Sequence, residues 1–249
     1  MRLAACPIVL CCLWALSDES KPGETRIDDA ENYEEHQDIR RALNNTERRW
    51  MIYRTYLRRT NSKKHTCVYA IVKSQEEDGL YMFEQGYAVE ENGNTNTDIK
   101  KETLYASTYK TDLQTYLNVQ KTRDKDNAMR VHREKSSTGG KEYKLVYSDY
   151  KKCYILRVLS EDGGHGCELY LLDAVADEKV PAACERTYEN ACGKFDDRYK
   201  SPVYNSSCKK IMGSLDETPT PTQATPEPPE KETAGQEPDT TPSTLPPGC

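Results

Sequence analysis

The amino-acid sequence predicts an all-β protein: an eight-stranded antiparallel barrel with flanking helices and a disordered C-terminal tail. Eight short segments with the pattern of strands follow one another along the chain. Consecutive strands joined by short turns are typical of an up-and-down barrel, and eight strands leave an interior just large enough for one small ligand. A β-sandwich has the same periodicity, so alternation alone leaves both architectures open.

The best-defined strand pair covers residues 153–170, where two strands are joined by a Gly-rich turn. Alternation places Cys153 and Arg157 on one face of the first strand and Tyr154 on the other. A lone buried guanidinium costs several kcal/mol, on the order of the penalty for an unpaired ion. The face of Arg157 is therefore predicted to be the outer one. The inner positions are then Tyr154, Leu156 and Val158.

The second strand of this pair carries a candidate binding site. If Cys167 faces outward like Cys153, then Glu168 and Tyr170 point inward. A carboxylate beside a tyrosine on the inside of a sheet indicates a binding site. An edge strand with a solvated Glu168 is the alternative that alternation leaves open.

The strands are predicted along most of the chain. In order, they are residues 50–57, 66–73, 79–87, 100–107, 114–120, 143–149, 153–159 and 167–172. Residues 92–97 form a turn-rich break. Residues 122–141 are charged and end in Gly-Gly, which predicts a long exposed loop, with 128–133 as a candidate for extra strand length.

Two helices are predicted to flank the strands. The first covers residues 28–43 and has a narrow apolar stripe of Ile39, Ala42 and Leu43 at helical spacing. The second comes from the stretch AACERTYENACG and ends at Gly193, because glycine commonly follows the last residue of a helix.

Residues 1–17 have the pattern of a secretory signal peptide. Arg2 supplies the positive start, and the apolar run 3–16 is too short to span a bilayer. Ala15 and Ser17 place small residues before a cut after Ser17. A buried N-terminal strand or helix is the alternative. No later stretch is apolar enough for a membrane span, so the sequence predicts a secreted, extracellular protein.

Six cysteines lie in the predicted domain, residues 18–212. An oxidising compartment makes three disulfides the expectation, and sequence alone allows fifteen pairings. Zinc is disfavoured, because no C-x2-C occurs and the histidines are scattered. Sequons at Asn44 and Asn205 predict N-glycosylation.

The tail, residues 213–249, differs abruptly from the domain. It holds nine of the thirteen prolines, eight threonines and no aromatic residue, so it cannot bury enough surface to fold. Its Pro/Thr spacing is typical of O-glycosylated stalks. It also carries a net charge of −6, which leaves a near-neutral domain with no field to attract nucleic acid. Cys249 leaves two alternatives open: a cap on another thiol, or a disulfide-linked dimer.

No catalytic constellation occurs in the sequence. There is no G-x-S-x-G, no H-E-x-x-H and no phosphate-binding Gly-rich loop, so we expect neither an enzyme nor a bound cofactor or metal. The seventeen tyrosines are a notable excess. Those on inner faces are candidates to line a ligand pocket.

The pattern C-x-[VIL], a spacer, E-L-[WY] and then Cys184 resembles the signature of tick salivary lipocalins, the histamine-binding family. YRTY at 53–56 and YSDYKKCYIL at 147–156 are similar to the same family. The resemblance implies a lipocalin barrel rather than a sandwich, an N-terminal helix that closes one end, and a C-terminal helix stapled to the outside. The pairings it implies are Cys67 with Cys208, Cys153 with Cys184, and Cys167 with Cys192.

The resemblance also implies ligand-binding residues. Tyr56 falls where the family has a pocket tyrosine, while Glu168 and Tyr170 fall on E-L-[WY]. Glu102 matches an acid on a middle strand, and Tyr154 stands where the family's amine binders have Asp. Because an amine site needs buried carboxylates and aromatic faces, the Tyr154 departure predicts weak histamine binding.

Three functions are hypotheses at this point. The resemblance favours a lipocalin that sequesters a small host mediator of inflammation, either an amine such as histamine or serotonin or a lipid mediator. The second hypothesis is an inhibitor that binds a host complement or clotting protein through residues 122–141 or the tail. The third is a mucin-like structural glycoprotein, for which only the tail argues.

Overall fold

The structure, a computed structural model, describes residues 26–216 apart from residues 92, 96–97, 116–118 and 195–197. The expected signal peptide and most of the expected tail, with Cys249, lie outside the described residues. Eight strands build the barrel. Their bounds are β1 Arg49–Arg54, β2 Lys63–Glu77, β3 Leu80–Glu91, β4 Lys100–Tyr109, β5 Ala128–His132, β6 Lys141–Ser148, β7 Cys153–Val158 and β8 Gly166–Leu172.

The sheet closes on itself through β1. From β2 to β8, each strand pairs antiparallel with the next one in the chain. β1 then pairs with β8, where Arg54 lies opposite Glu168, and with β2, where Trp50 lies opposite Tyr69. The predicted eight-stranded antiparallel barrel is confirmed, because a sandwich would not join its first strand to both neighbours in this way.

The fifth strand is not the predicted one. Alternation predicts residues 114–120, but β5 is Ala128–His132, and its Met129 and Val131 belong to the inner core. Leu113–Gln114 and Gln120–Lys121 instead pair with each other in a separate two-stranded sheet, where only Leu113 is buried. The extra strand length considered for 128–133 is thus confirmed as β5, which interrupts the loop predicted over 122–141.

The N-terminal segment closes one end of the barrel, but not as a single helix over residues 28–43. It forms two 3-10 helices, Ile27–Asp29 and Glu31–His36, and then helix α1, Ile39–Leu43. Gln37 lies between the last two, and its side-chain amide donates to the carbonyl oxygens of Ile27 and Val146, which fixes the break against β6. The predicted apolar stripe of Ile39, Ala42 and Leu43 packs on the inner core.

Two further helices, α2 (Ala182–Cys192) and α3 (Ser207–Asp216), lie on the outside of the barrel. The three implied disulfides are confirmed, and they tie β7 and β8 to α2, and β2 to α3. α2 ends at Gly193 as predicted, at a φ of 121° that favours glycine. α3 runs past residue 212, where the domain boundary was expected.

Arg157 lies on the outer face of β7, as predicted, but it is buried there. The residue is 2% exposed, and its guanidinium forms an ion pair with Asp28 across 3.0 Å. It also donates to the carbonyl oxygens of His165 and Ala191. The prediction assumed an unpaired guanidinium, and the N-terminal segment supplies the carboxylate that this assumption left out.

Candidate functional site

The barrel encloses a cavity of about 70 Å³ that α1 helps to line. Most of the wall is apolar and comes from α1 and the inner faces of the strands. The apolar lining consists of Ile39, Ala42, Leu43, Ala70, Val72, Phe83, Met129, Val131, Leu145 and Leu156. The polar lining consists of Arg49, Gln85, Tyr143, Tyr154 and Tyr170. A mainly apolar wall with a few polar groups is typical of small-molecule sites.

Glu168 and Tyr170 point into the barrel from β8, as alternation predicts. Glu168 is 2% exposed, and its two carboxylate oxygens accept hydrogen bonds, Oε1 from the Tyr56 hydroxyl and Oε2 from the Tyr170 hydroxyl at 2.9 Å. Burial and the Glu168 charge raise the pKa of both tyrosines, which keeps their hydroxyls protonated as donors. The structure thus joins three predicted site residues in one cluster, in which the protein itself occupies the carboxylate.

Arg54 lies beside this cluster. It is 1% exposed, its Nη2 donates to the His65 carbonyl oxygen at 3.1 Å, and its guanidinium lies 5.3 Å from the centre of the Tyr56 ring. Burial and Glu168 raise the pKa of Tyr143, whereas Arg54 opposes that rise. The negative charge of Glu168 therefore has a positive neighbour in the same part of the barrel.

Arg49 is a charged residue of the cavity wall that the sequence prediction missed. It is 7% exposed, and its Nη2 donates to the carbonyl oxygens of Ala42 and Asn45 at the end of α1. Burial lowers the pKa of Arg49, because no close counter-charge among the residues that the structure describes offsets the loss of water. Arg49 alternates with the inward Met51. Alternation would therefore have placed Arg49 inside the barrel if the first strand had been predicted to begin one residue earlier.

Tyr154 faces the cavity from β7, opposite Tyr170, as predicted. It is 3% exposed, and its hydroxyl lies near Asn45 but makes no hydrogen bond of good geometry within the described part of the chain. The Arg49 guanidinium lies over its ring, 4.7 Å from the centre. The tyrosine that stands in place of an acid therefore contacts a cation of the protein itself.

Glu102 is not brought to this group. Its carboxylate is partly exposed and accepts a hydrogen bond from Arg133 at 3.3 Å. Gln85, opposite Glu102 in the sheet, reaches the cavity wall instead. The role of Glu102 in ligand binding has no support from this arrangement.

The two predicted glycosylation sites lie at the surface. Asn44 directly follows α1 and Asn205 precedes α3, and both side chains are exposed. Exposure is what glycan attachment requires, and glycosylation itself stays a prediction.

The sequence matches the family model described as tick histamine binding protein over residues 27–210, well over half of the chain. Among solved structures, AM182 in complex with serotonin is similar, with a TM-score of 0.44 and 14% identity over 69% of this chain and 92% of that chain. Japanin from Rhipicephalus appendiculatus, bound to cholesterol, has a TM-score of 0.44 and 12% identity over 65% and 95%. No curated protein matches the chain. No helix among the described residues has the length and apolar character to cross a membrane.

Proposed function

Because this chain belongs to the tick histamine-binding protein family, we propose that it is a secreted lipocalin that takes up a small host mediator and so suppresses host inflammation. The observation that carries the proposal is the enclosed cavity, whose apolar wall is interrupted by Arg49, Gln85 and three tyrosines. Such a wall suits binding, with the polar groups fixing the orientation of the ligand.

The charges around the cavity favour an apolar ligand over histamine. An amine needs a carboxylate that is free to pair with its ammonium, and both oxygens of Glu168 already accept tyrosine hydroxyls. Arg49 lines the same cavity and repels a cation. Of the two ligand classes that the sequence predicts, we therefore favour the lipid mediator.

The size of the cavity also limits the ligand. Its volume of about 70 Å³ is small beside the ~300–1,000 Å³ of ordinary ligand pockets. A ligand must therefore be slender or must displace lining side chains. Met129 is suited to such displacement, because methionine is unbranched and flexible.

Native mass spectrometry of the secreted protein, purified without denaturation, tests this proposal. We expect one small molecule per chain, released when the protein is unfolded, and its mass identifies the class of ligand. Calorimetry on the stripped protein with histamine, serotonin and fatty acids then measures the preference. Binding of no small molecule, together with tight binding to a complement or clotting protein, would contradict the proposal in favour of the inhibitor hypothesis.

A further inference from the structure

Arg49 and Tyr154 are two polar groups of the cavity wall whose hydrogen-bonding capacity the barrel does not exhaust. Both are more than nine-tenths buried. The Arg49 Nε and the Tyr154 hydroxyl have no hydrogen-bond partner of good geometry within the described residues. Burial lowers the pKa of Arg49, and among those residues Glu47 is the acid whose charge raises it. Glu47 is exposed, however, and its carboxylate accepts a hydrogen bond from the Ala174 N–H at 3.1 Å.

The surroundings of Arg49 match the chemistry of a carboxylate. Arginine is rarely buried without a counter-ion, and the Tyr154 ring compensates only part of the lost hydration through a cation–π contact. A guanidinium that rests on a ring keeps the N–H groups at its edge available. The Arg49 Nε–H has no partner among the described residues, so it can donate to a carboxylate oxygen. The inward Glu168 is not the carboxylate that pairs with Arg49, because both of its oxygens accept hydrogen bonds from tyrosine hydroxyls.

We propose that Arg49 and Tyr154 together bind the carboxylate of a slender, otherwise apolar ligand whose chain lies along the apolar cavity wall. The Tyr154 hydroxyl donates to one carboxylate oxygen, and the Arg49 Nε–H donates to the other. This inference rests on the proposed function and adds the chemical class of the ligand: an acid, not an amine or a neutral lipid.

Three ligands with the same ten-carbon chain test the head group directly: decanoate, decan-1-ol and decylamine. Calorimetry with the full, ligand-stripped chain at pH 7.4 gives their affinities. We expect decanoate to bind roughly tenfold to a hundredfold more tightly than decan-1-ol, from the strength of hydrogen bonds to charged groups. Decylamine should bind most weakly, because Arg49 repels its ammonium.

Variants of the pair show whether these two residues cause the preference. Arg49→Gln should bring the affinities for decanoate and decan-1-ol close together. Tyr154→Asp should do the same, because it gives Arg49 an internal carboxylate. Tyr154→Phe removes one hydroxyl and should reduce the preference only a few-fold. The ratio of the two affinities is the readout, since a variant that merely damages the barrel weakens acid and alcohol alike.

The outcomes separate this inference from the proposed function. Equal affinity for decanoate and decan-1-ol, or a preference that survives in Arg49→Gln, overturns the carboxylate site and leaves ligand uptake standing. Binding of histamine or serotonin but of no ten-carbon ligand has the same effect. If none of these small molecules binds, both the site and the proposed function fail.

Discussion

Two buried arginines, one outside the barrel wall and one inside it, have opposite surroundings. Arg157 pairs with Asp28 at 3.0 Å and donates to two backbone carbonyl oxygens beneath α2. Arg49 also donates to backbone carbonyls, but it faces an apolar cavity and forms no ion pair among the described residues. In both arginines Nε has no hydrogen-bond partner within the described part of the chain, so the carboxylate is what distinguishes them. Arg157 links the N-terminal segment and α2 to the barrel, whereas Arg49 has a hydrogen-bond donor left for a ligand.

The largest expected effect is on stability, at the outer arginine. Asp28→Asn should lower the free energy of unfolding by about 3–5 kcal/mol, because it leaves the buried Arg157 without its counter-ion. Arg49→Gln is the matched control. It orphans no carboxylate and should cost about 1–2 kcal/mol through its lost bonds to α1. Denaturant unfolding with the disulfides intact measures both, and equal losses would contradict the assignment of roles.

The outer pair should also make the protein sensitive to acid. Burial alone raises the pKa of Asp28, but the charges of Arg157 and Arg26 outweigh burial and lower it. A carboxyl with a lowered pKa stabilises the fold fully above its unfolded pKa of about 3.9. That contribution is lost as the pH falls through the lower folded value. We therefore measure the free energy of unfolding from pH 6 to pH 2. Below about pH 4 it should fall less steeply in Asp28→Asn than in the unchanged protein. Parallel curves would show that Asp28 is not held ionised.

His65 lies beside Arg54, another buried arginine, and it separates acid effects inside the barrel wall from those of Asp28 outside it. Burial, followed by Arg58 and Arg54, lowers the pKa of His65 to about 4. The ring stacks on Tyr87 at 4.0 Å and hydrogen-bonds to the Thr60 hydroxyl at 2.8 Å, so the fold holds it neutral.

As the pH falls, the contribution of neutral His65 to the free energy of unfolding should be lost at a higher pH than the contribution of ionised Asp28. Stability that depends on neutral His65 is complete above its unfolded pKa of about 6.5 and is lost as the pH falls toward 4. His65→Gln should flatten the unfolding curve between these values without changing the slope below pH 4. No difference between the two proteins from pH 6.5 to pH 4 would contradict the neutral state of His65.

Much of the inner face was predictable, because strand alternation has a strict period of two. Alternation placed Tyr154, Glu168 and Tyr170 correctly inside. It could not show that the Tyr56 hydroxyl reaches Glu168, since 112 residues separate the two along the chain. The same limit applies to Asp28 and Arg157, which are 129 residues apart.

The remaining errors have local causes. The segment 114–120 resembles a strand, but its neighbour β5 has Met129 and Val131 for the inner face, and tertiary packing selects that segment. Arg49 was missed because the first strand was predicted to begin one residue later, and alternation does not show which inward residue lacks an ion-pair partner. The disulfides were predictable only through the family resemblance.

The smallest expected effect is at the C-terminus, where two adjacent regions should differ sharply. Residues 217–249 have no aromatic residue and little that is apolar, so their removal should shift the free energy of unfolding by no more than about 0.5 kcal/mol. For a domain of this size, that corresponds to a change in Tm of about 1–2 °C.

The helix immediately before this segment serves as the control. α3 carries the buried Cys208 and Met212, and Cys208 forms a disulfide to Cys67, 141 residues away. A cut after Ser206 removes that bridge and the packing with it, which should lower stability by about 2–4 kcal/mol or more. Calorimetric melting of the two truncated proteins beside the full chain gives the comparison. A drop of several degrees for the cut after Asp216 would show that the segment beyond it stabilises the barrel, and that the domain extends further along the chain than its composition indicates.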